Sequence, residues 1–475
     1  MADGDIDVLR VARGLVVAPA GCGKTQLIAD ALIRHDDPKP ILVLTHTNAG
    51  VAALRSRLDR AGVKPSAYRL STIDGWAIRL ITTFPQRSGH DPSILTGQRP
   101  NYRAIREAAF GLLKSKHVND VVAASYSRML VDEYQDCSIC QHGIVYYASL
   151  ILPVCVMGDR MQAIFGFGDD PLADWDKHVC GHFALAGTLD RPWRWINAGA
   201  EQLGAWLLDA RRKLLAGAAI DLRTLPDHVV WVSLDGSPSD DARHRKACQA
   251  TVPGGHGGVL IIDDSLKPDS HRRFARLTPG AATVEAVDLR DLVSFAANFD
   301  LKAPDALGKI ASFAEGLMTN TSAAELVRRT ATIMRGADRR AASDVELAAI
   351  AFLEGRTYQQ VVDLLVEMNM APGTHVYRLT VLRACLRALE ICQGPDAKTF
   401  GETAIHIREQ NRVLGRSLPH RAVGSTLLLK GLEADVVVIL KADDLDARNL
   451  YVAMTRGSKR VVVCSKSPVL NPKAP

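Results

Sequence analysis

Two short stretches of this sequence hold residue types that together could do phosphoryl-transfer chemistry. The first is Ala18-Pro-Ala-Gly-Cys-Gly-Lys24-Thr25. Small residues at Ala20, Gly21, Cys22 and Gly23 let backbone N–H groups close around phosphate oxygens, and a following helix would add the favourable end of its dipole. Lys24 is spaced to reach the β- and γ-phosphates and Thr25 to hold Mg²⁺, with Gln26 next in line. The second stretch is Asp132-Glu133, inside MLVDEYQD. A nucleotide-hydrolysing site needs paired acids of this kind, one for the Mg²⁺ sphere and one to orient or deprotonate the attacking water.

The surrounding sequence supplies elements to position them. An apolar run, Leu15 to Val17, leads into the glycine-rich turn, and QLIADALIRH continues as a helix. The order is strand, loop, helix. A short apolar strand likewise ends in Asp132 and Glu133. LPVCVMGDRMQAIFGF repeats the plan, with Asp159, Gln162 and the aromatics Phe165 and Phe167 at its end. ILVLTHTNAGVAALRSRL and STIDGWAIRL read as further strand–turn–helix units. LDRPWRWINAGAEQLGAWLLDARRKL brings an aromatic-basic cluster into a long helix. STLLLKGLEADVVVIL and NLYVAMTRGSKRVVVCS close the chain with a turn and two buried strands. Hydrophobic periodicity thus predicts an α/β fold of parallel sheets flanked by helices, with mostly helical inserts.

In their order along the chain, the loop ending in Lys24-Thr25, DEYQD, GDxxQ with trailing aromatics, PWRW, KGLE and YVAMTR resemble the UvrD/Rep-like branch of the superfamily 1 DNA helicases. The resemblance implies two RecA-like domains with ATP in a cleft between them. The first would comprise 1–84 and 125–186, with a short helical insert at 85–124. The second would comprise 187–270 and 396–475, with a helical insert at 271–395. By the same resemblance Gln162 senses the γ-phosphate, Arg194 and Arg456 act as arginine fingers offered by the second domain, and Gly431 and Glu433 of KGLE contact nucleotide. Thr45, Thr47, Asn48, Thr72, Trp76 and Arg79 fall where the family contacts the strand, and Phe165 and Phe167 where bases stack. Core packing is the competing reading for each aromatic.

The sequence also departs from the family pattern. No Gln precedes Lys24, so the adenine-recognition motif is missing. His46 stands in place of an aromatic, Asp74 and Leu427 in place of histidines, and Gly168 in place of an Arg. These changes touch the nucleic-acid track rather than the hydrolytic centre.

Composition narrows the classes further. The 475 residues should form about two to four domains. Hydrophobic residues at 47% and charged residues at 23% are ordinary for a globular protein and exclude a disordered, collagen-like or coiled-coil chain. A net charge of +6 leans towards a polyanion partner without demanding one. No apolar run is long enough for a membrane helix, the start lacks the basic residues of a secretory signal, and nine scattered cysteines suit a reducing cytoplasm. Cys137 and Cys140, with His178, Cys180 and His182, lack the second ligand pair of a zinc finger.

Two functions are therefore expected to compete. One is an ATP- and Mg²⁺-dependent translocase or 3′–5′ helicase on single-stranded or tailed duplex DNA, as in DNA repair. The other is a DNA-sensing regulatory ATPase beside a partner nuclease, as in anti-phage defence systems such as Gabija, where compact helicases of this branch occur. A small-molecule kinase would leave PWRW, YVAMTR and KGLE unexplained.

Overall fold

The structure, a computed structural model, describes residues 6–96, 100–166, 170–264, 266–286, 288–337, 340–394, 398–413 and 419–473. The chain divides into two compact units. One is Met1–Val229 with Asp443–Lys459 and Pro468–Pro475. The other is Val230–Ala442 with Arg460–Ser467.

The first unit is built on a six-stranded sheet: β1 (Arg13–Val17), β2 (Ile41–Thr45), β3 (Tyr68–Thr72), β4 (Arg128–Val131), β5 (Val154–Gly158) and β6 (Ala184–Thr188), in the order β3-β2-β4-β5-β1-β6. All its pairings are parallel. Period-2 alternation divides each strand between two faces. Ile41 and Val43 join Ile28, Leu32, Leu54 and Leu58 on one face. Leu42 and Leu44 join Trp76, Ile105 and Ile144 on the other. With both faces covered, β2 and β5 are buried along their whole length, as parallel strands must be.

Local signals set the helix starts. Thr47 caps Asn48–Arg60 by accepting from Gly50 N–H, and Thr72 caps Ile73–Thr83 by accepting from Gly75 N–H. Ser138 and Gln141 form a reciprocal capping box on Ile139–Ala148. A two-residue strand, β7 (Ile220–Asp221), pairs antiparallel with Val469–Leu470.

The span 85–124 holds four short helices, Pro85–Ser88, Ser93–Thr96, Tyr102–Lys114 and Asn119–Ser125. Helix Tyr102–Lys114 buries Ile105, Ala109, Leu112 and Leu113 in the core beside Trp76. Its Arg106 grips Asp74 with two hydrogen bonds of 2.7 Å and reaches Asp170 at 3.1 Å. The Asp that replaces the family's His is thus held by the insert.

The second unit has its own six-stranded sheet: β8 (Val229–Ser233), β9 (Val259–Asp263), β10 (Ala281–Thr283), β11 (Arg421–Ser425), β12 (Ala434–Ile439) and β13 (Gly457–Ser465), in the order β10-β11-β9-β12-β13-β8. The β10–β11, β11–β9 and β9–β12 pairs are parallel. Seven helices from Arg290–Asn298 to Phe400–Val413 share a separate core around Ile310, Phe352, Leu365 and Leu389. The sequence reading found no strand in 271–395. Strand β10 lies there all the same, because three small residues are too short a run to show a period.

Candidate nucleotide site

All the chemistry of the first unit gathers at the carboxyl ends of its parallel strands, where an open α/β sheet offers a crevice. The loop after β1 is anchored by Ala18 N–H donating to Gly158 O at 2.9 Å. It turns through Gly21 at φ 71° and Gly23 at φ 90°, left-handed conformations that favour glycine. A side chain at Gly21 would also strike the Trp195 ring, 2.6 Å from where a Cβ would sit. The helix Lys24–Ile33 begins directly after Gly23.

Lys24 is nearly buried and turns back onto the acids after β4. Its ammonium lies 2.7 Å from Asp132 Oδ1 and also contacts Glu133. Burial alone would lower its pKa, but the two carboxylates hold it above the ordinary lysine value. Burial pushes the Asp132 carboxyl up, and Lys24 opposes that. Glu133 occupies a left-handed backbone conformation, φ 54°, which is rare without glycine and concentrates at functional sites. Its N–H donates to Asp132 Oδ1 at 2.9 Å, and Gln135 Nε2 donates to its carboxylate.

Asp159, at the end of β5, is fully buried. Arg211 of helix Glu201–Leu215 grips it with bonds of 2.6–3.2 Å. Asp159 also accepts from Met161 N–H at 3.1 Å and so caps the turn that carries Gln162. Gln162 Nε2 lies 3.4 Å from Asp159 Oδ2 and 3.5 Å from Ala18 O. The Tyr451 hydroxyl accepts from Ala20 N–H at 3.1 Å.

Arg194 and Arg456 both belong to this same compact unit. Arg194 N–H donates to Gly21 O at 3.0 Å, and its Nη1 donates to Thr455 O at 2.7 Å. Arg456 is buried, with Nε donating to Val452 O at 3.0 Å. Trp193 lies against Gly23, partly exposed, with the Arg191 guanidinium 3.8 Å from its ring centre. Thr25 follows Lys24 in the first helical turn, and exposed Gln26 donates to Asp30 at 2.7 Å. Gly431, at φ 80°, and Glu433 belong to the second unit, just before β12.

The expected strand-contact residues divide. Asn48 and Arg79 are exposed, whereas Thr45 is buried. Thr47 and Thr72 spend their hydroxyls on the helix caps. Phe165 lies 5.6 Å from the His46 ring. Trp76 requires a correction: at 2% exposure it is a core residue and has no face to offer a base. Phe167 and Gly168 lie outside the described residues.

Sequence reasoning missed Arg211, Tyr451 and Trp193 as members of the site. Only Trp193 carried a signal, through the aromatic-basic run around Arg194. The histidines pack together: His142 hydrogen-bonds both Tyr134 at 2.9 Å and His182 at 2.7 Å, so both ring nitrogens are engaged. No group of three metal-ligating side chains occurs among the described residues. No described helix is long and apolar enough to cross a membrane.

A parallel sheet, a glycine-turned phosphate loop after β1 and paired acids after β4, with β5 between the two strands, define the first unit as a P-loop nucleotide-binding fold. Residues 11–110 and 101–170 match the family model of the UvrD/REP helicase N-terminal domain, so this part of the chain is similar to that domain. No characterised protein matches the chain by sequence. Among solved structures, a helicase, Arterivirus nonstructural protein 10 in complex with DNA, aligns at 11% identity over 96% of this chain with a TM-score of 0.36. So loose an overlap carries no argument. The chain spans 62% of that helicase's length.

Proposed function

We propose that the chain is an ATP-dependent translocase on single-stranded DNA, working as a 3′–5′ helicase on tailed duplexes. The observation that carries this is the Lys24–Asp132–Glu133 cluster at the strand ends of a UvrD/REP-type domain.

The residues fit MgATP. The left-handed glycines free the loop for phosphate, and Asp132 is a buried acid beside the start of the Lys24–Ile33 helix. In the proposed cycle Lys24 leaves the acids for the β- and γ-phosphates, which frees Glu133 to take the proton of the attacking water. Thr25 and Asp132 would hold Mg²⁺, which would supply charge neutralisation at the phosphates. Gln162 reads the γ-phosphate. Arg194 and Arg456 offset charge that develops during transfer, and Gly431 and Glu433 contact nucleotide. Trp193 offers an aromatic face for the base. Phe165, Phe167, Asn48 and Arg79 are the candidates to hold the strand, by stacking and by charge.

One observation favours the second reading, a DNA-sensing ATPase that reports to a partner nuclease. Asp74 is occupied by Arg106, and Trp76 is buried, so part of the family's strand track is spent on structure. ATP hydrolysis measured alone and with single-stranded, duplex and 3′-tailed DNA separates the two. Strong stimulation by single strands, with displacement of the tailed strand, supports the motor. Stimulation without displacement supports the sensor. Hydrolysis that ignores DNA defeats both.

A further inference from the structure

Asp159 is a junction. Its carboxylate caps the turn that carries Gln162, and its backbone N–H donates at 3.2 Å to Gln135 Oε1, whose amide nitrogen holds Glu133. The glutamine expected to read the γ-phosphate and the acid expected to take the proton of water are thus both tied to Asp159, the first through its fully buried carboxylate and the second through its backbone N–H. That carboxylate is oriented by Arg211, 52 residues downstream, on a helix outside the sheet. Nε and Nη2 both engage it, so the guanidinium plane fixes the rotation of the carboxylate as well as its charge. The same helix packs on Ala447–Met454, whose Tyr451 accepts from the phosphate loop at Ala20.

We propose that Arg211 is a positioning residue: by gripping Asp159 it sets Gln162 and, through Gln135, Glu133 in the places that distinguish a triphosphate from a diphosphate. This rests on the nucleotide-hydrolysis reading above. The opposing view is an ion pair that stabilises the fold and nothing more. The two views part on nucleotide discrimination. A stabilising pair, once broken, lowers the unfolding temperature and leaves the ratio of triphosphate to diphosphate affinity alone. A positioning pair, once broken, changes that ratio in protein that is still folded.

The test uses the full chain as wild type, Arg211→Met and Arg211→Lys. Affinity is measured for MgADP and for a non-hydrolysable Mg-triphosphate analogue, alongside thermal unfolding and the kcat and KM of hydrolysis. MgADP affinity should stay within about twofold, while the preference for the triphosphate and kcat each fall about tenfold in Arg211→Met. Arg211→Lys should restore the unfolding temperature further than the preference, because a point charge cannot replace the two-pronged grip. If Arg211→Met does not fold, Arg211→Lys decides alone. An unchanged preference, or full restoration by lysine, overturns the proposal. Absence of nucleotide binding by the wild type would instead defeat the hydrolysis reading itself.

Discussion

The two sheets share six strands and a doubly wound plan, yet their carboxyl ends carry different chemistry. In the first unit, the ends of β1, β4 and β5 hold a glycine-turned loop, a lysine across two acids, and an arginine-gripped aspartate. In the second, β9 ends in Asp263, a buried carboxylate whose ion-pair partner is Lys441 at 3.0 Å, and β9 leads by way of Asp264 to a helix that starts at Pro268. The difference teaches that the sheet supplies a place for a site and that the grafted loop and acids make one. One lysine–aspartate pair is part of a network that also joins Glu133 and Gln135, the other is an ion pair between a buried carboxylate and a partly exposed lysine.

Cutting the same bond in both units gives the sharpest contrast. Lys24→Ala should bring ATP hydrolysis to background, a loss of about 10³-fold or more, because phosphate charge loses its fixed cation. Lys441→Ala should leave kcat within about threefold and lower stability by about 3 kcal/mol, because the buried Asp263 carboxylate loses its cation. Equal losses of hydrolysis from the two variants would break the comparison.

A smaller effect is expected at Arg106. Arg106→Met leaves Asp74 and Asp170 without their cation and should lower stability by about 3 kcal/mol in denaturant unfolding. A change below about 0.5 kcal/mol would mean that the Arg106 contacts weigh no more than a surface ion pair.

The smallest effect is tied to pH. Burial, with His182 and His178 nearby, pushes His142 down to about 4, so the folded protein holds its neutral form, hydrogen-bonded to Tyr134. The unfolded chain binds this proton near pH 6.5. Stability from this group is therefore complete above about pH 6.5 and is lost as pH falls towards 4, with about 2 kcal/mol of the loss between pH 7 and 5. Thermal unfolding from pH 7 to 5 should show that slope, and His142→Gln should flatten it. An unchanged slope would assign it to other groups.

The strands, the phosphate loop and the paired acids were legible because each is a local pattern: an apolar run that ends in a fixed set of small or acidic residues. The Gly21–Lys24 turn and the Asp132-Glu133 strand end lie where that pattern puts them. Arg211 was illegible because its partner is 52 residues away and nothing in ARRKL marks which basic residue turns inward. Tyr451 was illegible as a P-loop contact because its partner is 431 residues away. Trp76 misled because one aromatic on an amphipathic helix reads alike whether it faces a base or a core. Arg106 was illegible as a core contact because a basic residue on a helix gives no sign that an aspartate waits opposite.

The central claim is that Glu133, at the end of β4, is the base of a nucleotide-hydrolysing centre. Glu133→Gln tests it most directly, with MgATP binding and single-turnover hydrolysis measured on the same preparation. The account predicts binding within about threefold of wild type and hydrolysis reduced by about 10²–10⁴-fold. Hydrolysis at the wild-type rate, with binding intact, would contradict it.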